Sequence, residues 1–284
     1  MASIDNPEPD PVLPPSLTGW RAIVRDGAQM VRFYSRLPAP KLPFEQDAHA
    51  IPDFRSAPRM LPVAGLIIGL PGAMALCICA NVGLPASMAA GIAIAVAVLS
   101  SGAFHEDGLA DTFDGLGGGV TIERKLEIMK DSRIGSFGGA ALIIVLGLRF
   151  AALAALLDET NAVSAALMML VAAALSRSIG LTPIALLRPA RPGGFSSAVG
   201  RPSSTTYIMA MALSVLFVCV ATTAASMPVL GGLLGVVLAM GVALLMTWWS
   251  LRAIGGQTGD IAGAVQQMAE IAFYAGLLIS VANA

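Results

Sequence analysis

The sequence predicts an all-α, polytopic transmembrane helical bundle with six to seven spans. Of its 284 residues, 56% are hydrophobic and only 12% are charged, and the mean hydropathy is +0.77. Apolar stretches of about 18 residues or more recur along the chain, and this is roughly the length that crosses a ~30 Å hydrocarbon core. The basic residues are confined to alternate links between these stretches. Together these observations predict an integral membrane protein.

The predicted spans cover residues 61–82, 86–104, 137–157, 161–182, 207–225, 229–250 and 270–283. The last of them is about 14 residues long, which is short for a full crossing. Almost every Lys and Arg falls in 1–60, 105–136, 183–206 and 251–269, whereas the tight links "NVGLP", "DETN" and "ASMP" contain none. The positive-inside rule then predicts that the long polar loops and the N-terminus face the cytoplasm of a bacterial inner membrane.

The N-terminal region is predicted to contain a disordered extension, residues 1–16, before a single integral-membrane catalytic domain, residues 17–284. Residues 17–37 form an amphipathic helix on which Arg21, Arg25, Arg32 and Arg36 fall within about 60° of one another. This pattern is typical of an interfacial helix whose arginines face lipid phosphates. The alternative is a helix packed on the protein's own cytoplasmic loops. The net charge of −1 points to no charged partner, and we expect no nucleic acid to bind.

An acidic segment, "FHEDGLADTFDG" (104–115), directly follows the second predicted span. If the helix continues through it, Asp107, Asp111 and Asp114 lie at i, i+4 and i+7 on one face. Like charges stacked so closely repel each other, so a cation is expected between them. Mg²⁺ prefers oxygen ligands and typically combines one or two carboxylates with substrate phosphates. These three aspartates are therefore the predicted Mg²⁺ ligands and catalytic residues, while His105 and Glu106 point elsewhere.

A basic segment, "ERKLEIMKDSRIGSFGG", follows the glycine-rich "GLGGG" and leads into the third span. Lys130 and Arg133 are the predicted catalytic cations here, and Arg124 and Asp131 are predicted to contact the substrate. Glycines, basic side chains and a helix N-terminus together favour an anion site. Carboxylates that bind a metal beside an anion site indicate a phosphate or diphosphate substrate.

A second polar patch, "RAIGGQTGDIAGA" (252–264), is too polar for a plain connector between apolar helices, although a flexible turn is the alternative. Asp260 is predicted to act in catalysis, either as a further ligand or by orienting a substrate hydroxyl. Gln257 is predicted to hydrogen-bond to the substrate.

Several arginines are harder to interpret from sequence. Arg59, at the mouth of the first span, and Arg177, near the end of the fourth, are predicted substrate contacts. Arg188 and Arg191 are explained equally well by the sorting of positive charge. Arg149 falls near the middle of the third span, where an uncompensated charge costs a few kcal/mol or more, so it either pairs structurally or has a functional role.

Three segments in this order, "FHEDGLADTFDG", "LEIMKDSRIGSFG" and "GGQTGDIAGA", resemble the adenosylcobinamide-GDP ribazoletransferase family, also called cobalamin (5′-phosphate) synthase. "FYSRLPAP" (33–40) and "RMLPVAGLIIG" (59–69) add to the resemblance, which covers roughly residues 28–280. It implies an enzyme that joins adenosylcobinamide-GDP to α-ribazole, or to its 5′-phosphate, and releases GMP with Mg²⁺ as the metal. Asp114, Asp260 or His105 would accept the proton of the attacking hydroxyl. The lipid bilayer, a second copy of the chain and other enzymes of the nucleotide-loop pathway are the expected partners.

Three other classes share part of this pattern. CDP-alcohol phosphotransferases combine Mg²⁺ with diphosphate chemistry, but here Asp111 stands one position before the place of their arginine. Aromatic prenyltransferases normally carry an asparagine in their first acidic motif, and none is present in this segment. A transporter predicts charges at the midplane of several spans, whereas the predicted spans offer only Arg149.

Overall fold

The computed structural model describes residues 19–48, 50–191 and 200–283, and within these ranges the protein is helical. The predicted disordered extension, residues 1–16, lies outside them. The described helices are α1 (Trp20–Tyr34), a 3-10 turn (Ala57–Met60), α2 (Leu61–Asn81), α3 (Ala86–Ser101), α4 (Phe104–Gly118), α5 (Ile122–Ile128), α6 (Ser136–Glu159), α7 (Ala162–Gly180), α8 (Thr182–Leu186), α9 (Ser204–Ala224), α10 (Val229–Ile254) and α11 (Gly259–Val281).

Six helical segments of the described chain are long and apolar enough to cross a membrane. They are Ala57–Asn81, Ser136–Glu159, Ala162–Leu186, Ser204–Ala224, Val229–Ile254 and Gly259–Val281. If the bent pair α3 and α4 is counted as one span, there are seven. The predicted fold class is therefore confirmed, and the protein is an integral membrane protein.

The acidic segment is helical, as the spacing of its aspartates requires, but it does not continue straight from the second span. The chain breaks at Gly102 and Ala103, both of which adopt the left-handed conformation, and α4 leaves α3 at 89°. A left-handed alanine is uncommon and marks a defined break. The side chain of Arg36 lies over this break, since a Cβ on Gly102 would come within 2.9 Å of its Cδ. The helix that carries the aspartates therefore forms a separate element across the end of the bundle.

The prediction of a short final span at 270–283 is also wrong, because α11 begins at Gly259 and runs for 23 residues. Its start is capped by the Thr258 side chain, which accepts a hydrogen bond from the backbone N–H of Ile261. Gln266, Gln267 and Glu270 lower the hydropathy of its first half, but all three are buried in the bundle. Local hydropathy therefore hides a complete span whose polar residues contact other helices.

Close packing of α10 on α11 depends on glycine. A Cβ on Gly235 would lie 2.6 Å from the carbonyl oxygen of Phe273, whereas a Cβ on Gly241 of the same helix would meet nothing within 4 Å. We expect Gly235→Ala to force the helices apart and to destabilise the fold by about 1–3 kcal/mol. Gly241→Ala is the matched control and is expected to leave the thermal unfolding temperature in detergent unchanged. Equal unfolding temperatures for the two variants would contradict this packing.

Helix α1 packs on the protein through one face and exposes apolar residues on another. Met30, Val31 and Tyr34 are buried against α2 and its preceding turn. Arg32 donates hydrogen bonds to both carboxylate oxygens of Glu45 at 2.7 and 2.8 Å. The position of α1 relative to a bilayer remains a prediction.

Candidate active site

The acidic helix α4 presents two of its aspartates at the surface. Asp107 is exposed and Asp111, one helical turn later, is half-buried. Gly108 lies between them and faces α11, where its missing side chain lets the two backbones approach closely. A Cβ on Gly108 would lie 3.0 Å from the carbonyl oxygen of Asp260. This crossing brings the start of α11 against the turn of α4 that bears both aspartates.

Asp260 lies in the first turn of α11 and is paired with Arg191, whose Nη2 donates to Oδ2 at 3.1 Å. Arg191 reaches it because residues 188–190 dock on the turn before α11. The Ala190 N–H donates to the Gln257 carbonyl at 2.8 Å, and the Gln257 N–H donates to the Arg188 carbonyl at 2.9 Å. Any Cβ on Gly256 would lie 2.5 Å from that Arg188 oxygen, so the docking requires glycine there.

The carboxylates around Asp111 form a negative cluster that Arg191 offsets only in part. Burial, reinforced by the charges of Asp107, Asp260 and Asp114, raises the pKa of Asp111 from 3.8 to about 7, although Arg191 acts in the opposite direction. In the described part of the chain, no three His, Cys, Asp or Glu side chains converge closely enough to hold a metal by themselves. Two carboxylates completed by water and substrate phosphate remain a sufficient set for Mg²⁺.

Asp114 lies on the same helix, but its carboxylate binds the backbone at the start of α6. It is buried, and its two carboxylate oxygens accept the backbone N–H groups of Gly135 at 2.6 Å and Gly138 at 2.8 Å. These amides belong to the start of α6, whose first four N–H groups have no partner within the helix. Asp114 therefore fixes the beginning of α6 against α4.

The predicted basic residues of 124–133 line an exposed rim. Arg133 is 87% exposed and pairs with Asp131 at 2.6 Å. Hydrogen bonds from Arg133 lower the pKa of Asp131 from 3.8 to about 2. Arg124 pairs with Glu127 at 2.6 Å on the exposed side of α5, and Lys130 is exposed. The structure leaves Lys130 and Arg133 accessible to an anion.

Three other predicted substrate contacts have different surroundings. Arg59 donates to the buried carboxylate of Asp26 at 2.7 Å and so ties α1 to the turn before α2. Arg177 is buried in α7, where its Nη1 donates to the Ala173 carbonyl at 2.9 Å. The Gln257 side chain is buried, and neither of its polar atoms has a hydrogen-bond partner.

Sequence reasoning gave little weight to a second group of polar residues that the fold assembles. Glu106 is buried and forms an ion pair with Arg149, which also binds Glu270 on α11. His105 is buried with its ring stacked on Tyr34 at 5.6 Å, and its backbone contacts Gly263 of α11. Two residues signalled this group in the sequence: Arg149 in the middle of the third span, which required a partner or a role, and Glu270 within the final apolar run.

Comparison with known proteins matches the sequence of the chain to one family. The profile described as cobalamin-5-phosphate synthase matches residues 27–278. A protein of Azorhizobium caulinodans, named adenosylcobinamide-GDP ribazoletransferase, is 44% identical over 261 residues, which cover 90% of this chain and 96% of that protein. A protein of the same name from Xanthobacter autotrophicus is 44% identical over 257 residues, covering 90% of this chain and 97% of that protein. No solved structure matches the chain.

The matched residues run from the second half of α1 through the acidic helix and the docked loop to most of α11. The resemblance inferred from the three polar motifs is thereby confirmed. The chain belongs to the cobalamin-5-phosphate synthase family of enzymes.

Proposed function

We propose that this protein joins adenosylcobinamide-GDP to α-ribazole, or to α-ribazole 5′-phosphate, and releases GMP. The observation that carries the proposal is the meeting of Asp107 and Asp111 on α4 with the Asp260–Arg191 pair at the start of α11. Carboxylates that can share a divalent cation stand here beside the Arg191 guanidinium, a combination that suits a diphosphate substrate. Two relatives that match over 90% of this chain are named adenosylcobinamide-GDP ribazoletransferase, which is this reaction.

We infer that Mg²⁺ binds between Asp107 and Asp111. Both carboxylates are at least partly accessible. Burial raises the pKa of Asp111, and the neighbouring charges of Asp107, Asp260 and Asp114 add to this effect; a bound cation would offset those charges. When bound, the ion would neutralise charge on the diphosphate and polarise the phosphoryl group that is transferred. Asp114 is assigned to α6 instead, because both of its oxygens already accept backbone N–H groups.

The side chains around the carboxylates would bind the diphosphate, orient Asp260 and accept the hydroxyl proton. Lys130 and Arg133 on the exposed rim would bind the diphosphate oxygens, and Arg191 would orient Asp260. The acceptor hydroxyl would attack the phosphorus attached to the cobinamide arm, the bond from that phosphorus to the GMP oxygen would break, and the hydroxyl proton would pass to a carboxylate. Asp260 is the preferred base, because Asp114 is fully engaged and His105 is buried behind the α4–α11 crossing.

We further propose that this site lies on the cytoplasmic side of the bacterial inner membrane. The acidic helix, the basic rim and the docked loop 188–191 belong to the links that contain Lys and Arg. The links 82–85, 160–161 and 225–228 contain neither residue. This distribution supports the orientation through the positive-inside rule.

The direct test is an assay of purified protein in detergent with adenosylcobinamide-GDP, α-ribazole and Mg²⁺. Release of GMP together with a complete corrinoid, followed by chromatography, is the expected result. A parallel reaction with α-ribazole 5′-phosphate measures which acceptor has the larger kcat/KM. Folded protein that releases no GMP with either acceptor would overturn the proposal.

The raised pKa of Asp111 predicts how the site depends on pH. Its folded-state value of about 7 lies above the ordinary 3.8, so the folded protein holds this proton more tightly than the unfolded chain does. The resulting contribution to stability is fully present below about pH 4 and is lost as the pH rises through about 7. A divalent cation must displace the same proton, so its affinity should fall by up to about tenfold per pH unit below 7.

Mn²⁺ binding, measured by electron paramagnetic resonance between pH 5.5 and 8.5, checks this expectation. Asp111→Asn is the control, and its weaker affinity should vary little with pH over that range. A wild-type affinity that stays constant from pH 5.5 to 8.5 would contradict a titrating Asp111 in the site.

A further inference from the structure

A buried ionic cluster joins three helices inside the bundle. Arg149 of α6 is only 6% exposed, and its Nε lies 2.9 Å from Oε1 of Glu270 on α11. Its Nη1 lies 3.5 Å from Oε1 of Glu106 on α4. We call Arg149, Glu106 and Glu270 the central ionic cluster.

Hydrogen bonds from α11 complete the cluster. The Gln267 amide donates to Oε1 of Glu106 at 2.9 Å, and the Gln266 amide donates to Oε2 of Glu270 at 3.3 Å. The Tyr274 hydroxyl donates to Oε1 of Glu270 at 3.3 Å. The contacts therefore fix the geometry of both carboxylates.

Stability alone does not account for such a cluster. Buried ion pairs are often no more stabilising than well-packed apolar residues of similar volume, and ionisable groups at membrane depth are expensive. Oε2 of Glu106 is buried without a hydrogen-bond partner, so the cluster is not even fully satisfied. Unlike apolar side chains, the cluster fixes one specific arrangement of the three helices.

That geometry bears directly on the candidate active site. Glu106 immediately precedes Asp107 on α4, and Glu270 follows Asp260 on α11 by ten residues, or about 15 Å of helix. The two helices also touch at Gly108, whose Cβ would lie 3.4 Å from the Cα of Gly263. Arg149 thus joins the helix that carries Asp107 and Asp111 to the helix that carries Asp260, from a point inside the bundle.

We propose that Arg149 is a positioning residue, which holds α4 on α11 through Glu106 and Glu270 and so sets the distance of Asp260 from the divalent-cation site that Asp107 and Asp111 form on α4. The metal part of this inference rests on the proposed function. Arg149 itself contacts none of the three aspartates among the described contacts; its effect on the site passes through the two glutamates.

The test compares Mn²⁺ affinity with thermal stability in protein without substrate. Arg149→Met/Glu270→Gln removes the link to α6 while leaving the net charge unchanged, and Glu106 keeps its hydrogen bond from Gln267. We expect this double variant to bind Mn²⁺ at least tenfold more weakly at temperatures well below its unfolding, because the negative charge of Asp260 on α11 then lies farther from the ion held by Asp107 and Asp111. Arg149→Lys retains the charge but has a single ammonium in place of the guanidinium fork, so we expect an intermediate loss of about threefold.

A matched control removes another buried contact between helices. The Ser164 hydroxyl of α7 donates to the Ala225 carbonyl after α9 at 3.2 Å, away from α4. Ser164→Ala is expected to lower the unfolding temperature and to leave Mn²⁺ affinity unchanged.

Two results separate this inference from the proposed function. Equal Mn²⁺ affinities in the wild type, Arg149→Lys and the double variant, including no binding in any of them, would overturn the positioning role of Arg149. Failure of the wild type to release GMP would overturn the proposed reaction whatever the Mn²⁺ affinities are. If the double variant does not fold, Arg149→Lys decides: a threefold loss supports the positioning role, and an unchanged affinity contradicts it.

Discussion

Replacing Asp107 by alanine is expected to reduce GMP release by roughly a hundredfold to a thousandfold, because it removes a carboxylate proposed to act through Mg²⁺ on the diphosphate that is cleaved. Asp107 is exposed, so its loss should not disturb the packing of α4. The unfolding temperature in detergent should therefore match that of the wild type. Turnover, Mn²⁺ affinity and thermal unfolding are measured on the same preparation.

Asp158→Ala provides the control for this variant. Asp158 is an exposed aspartate at the opposite end of α6 from Ser136. We expect wild-type rates and wild-type Mn²⁺ affinity from it. A fully active Asp107→Ala protein would remove Asp107 from the site and with it the proposed Mg²⁺ ligand pair.

Asp114→Ala is expected to act mainly on the fold. It leaves the backbone N–H groups of Gly135 and Gly138 without their acceptor, and the Gly138 amide is buried. The loss of hydrogen bonds to a charged group, together with an orphaned buried donor, should destabilise the protein by about 3 kcal/mol. Hydrogen exchange at residues 135–139 should rise because the first turn of α6 opens.

Asp114→Asn separates this structural role from metal binding. Its amide keeps one acceptor oxygen, so it should retain about half of the stabilisation and nearly all of the Mn²⁺ affinity. If both variants instead unfold at the wild-type temperature and lose Mn²⁺ binding, Asp114 is a metal ligand after all.

The spans could be predicted from sequence where they depend on local composition. Five helices begin and end within about four residues of the expected bounds, because continuous apolar length is a property of neighbouring residues. These helices are α2, α6, α7, α9 and α10. The final span was misjudged because Gln266 and Gln267, in its first half, resemble loop residues in hydropathy. Both are buried against other helices, where Gln266 donates to the Ser176 hydroxyl of α7 and Gln267 donates to the Glu106 carboxylate of α4.

The break before α4 has a related cause. Gly102 permits a left-handed turn, but a single glycine does not predict an 89° bend. Arg36 also contributes, because its backbone N–H donates to the Ser100 carbonyl at 2.8 Å and its side chain covers the break. This contact joins residues more than sixty positions apart, so it is not visible in the local pattern.

The sequence by itself determined that this protein is a helical membrane enzyme of one family, with its aspartates on one helical segment and basic residues after it. Helical periodicity and apolar length depend on residues that are close together in the chain, so both can be predicted from the sequence. Tertiary structure alone decided that Asp114 anchors α6, that Arg191 pairs with Asp260, and that Arg149 joins α4 to α11. The partners in each of these contacts lie more than twenty residues apart. Folding, and not sequence spacing, therefore decides whether a carboxylate is free to bind a metal or is already bound by the protein.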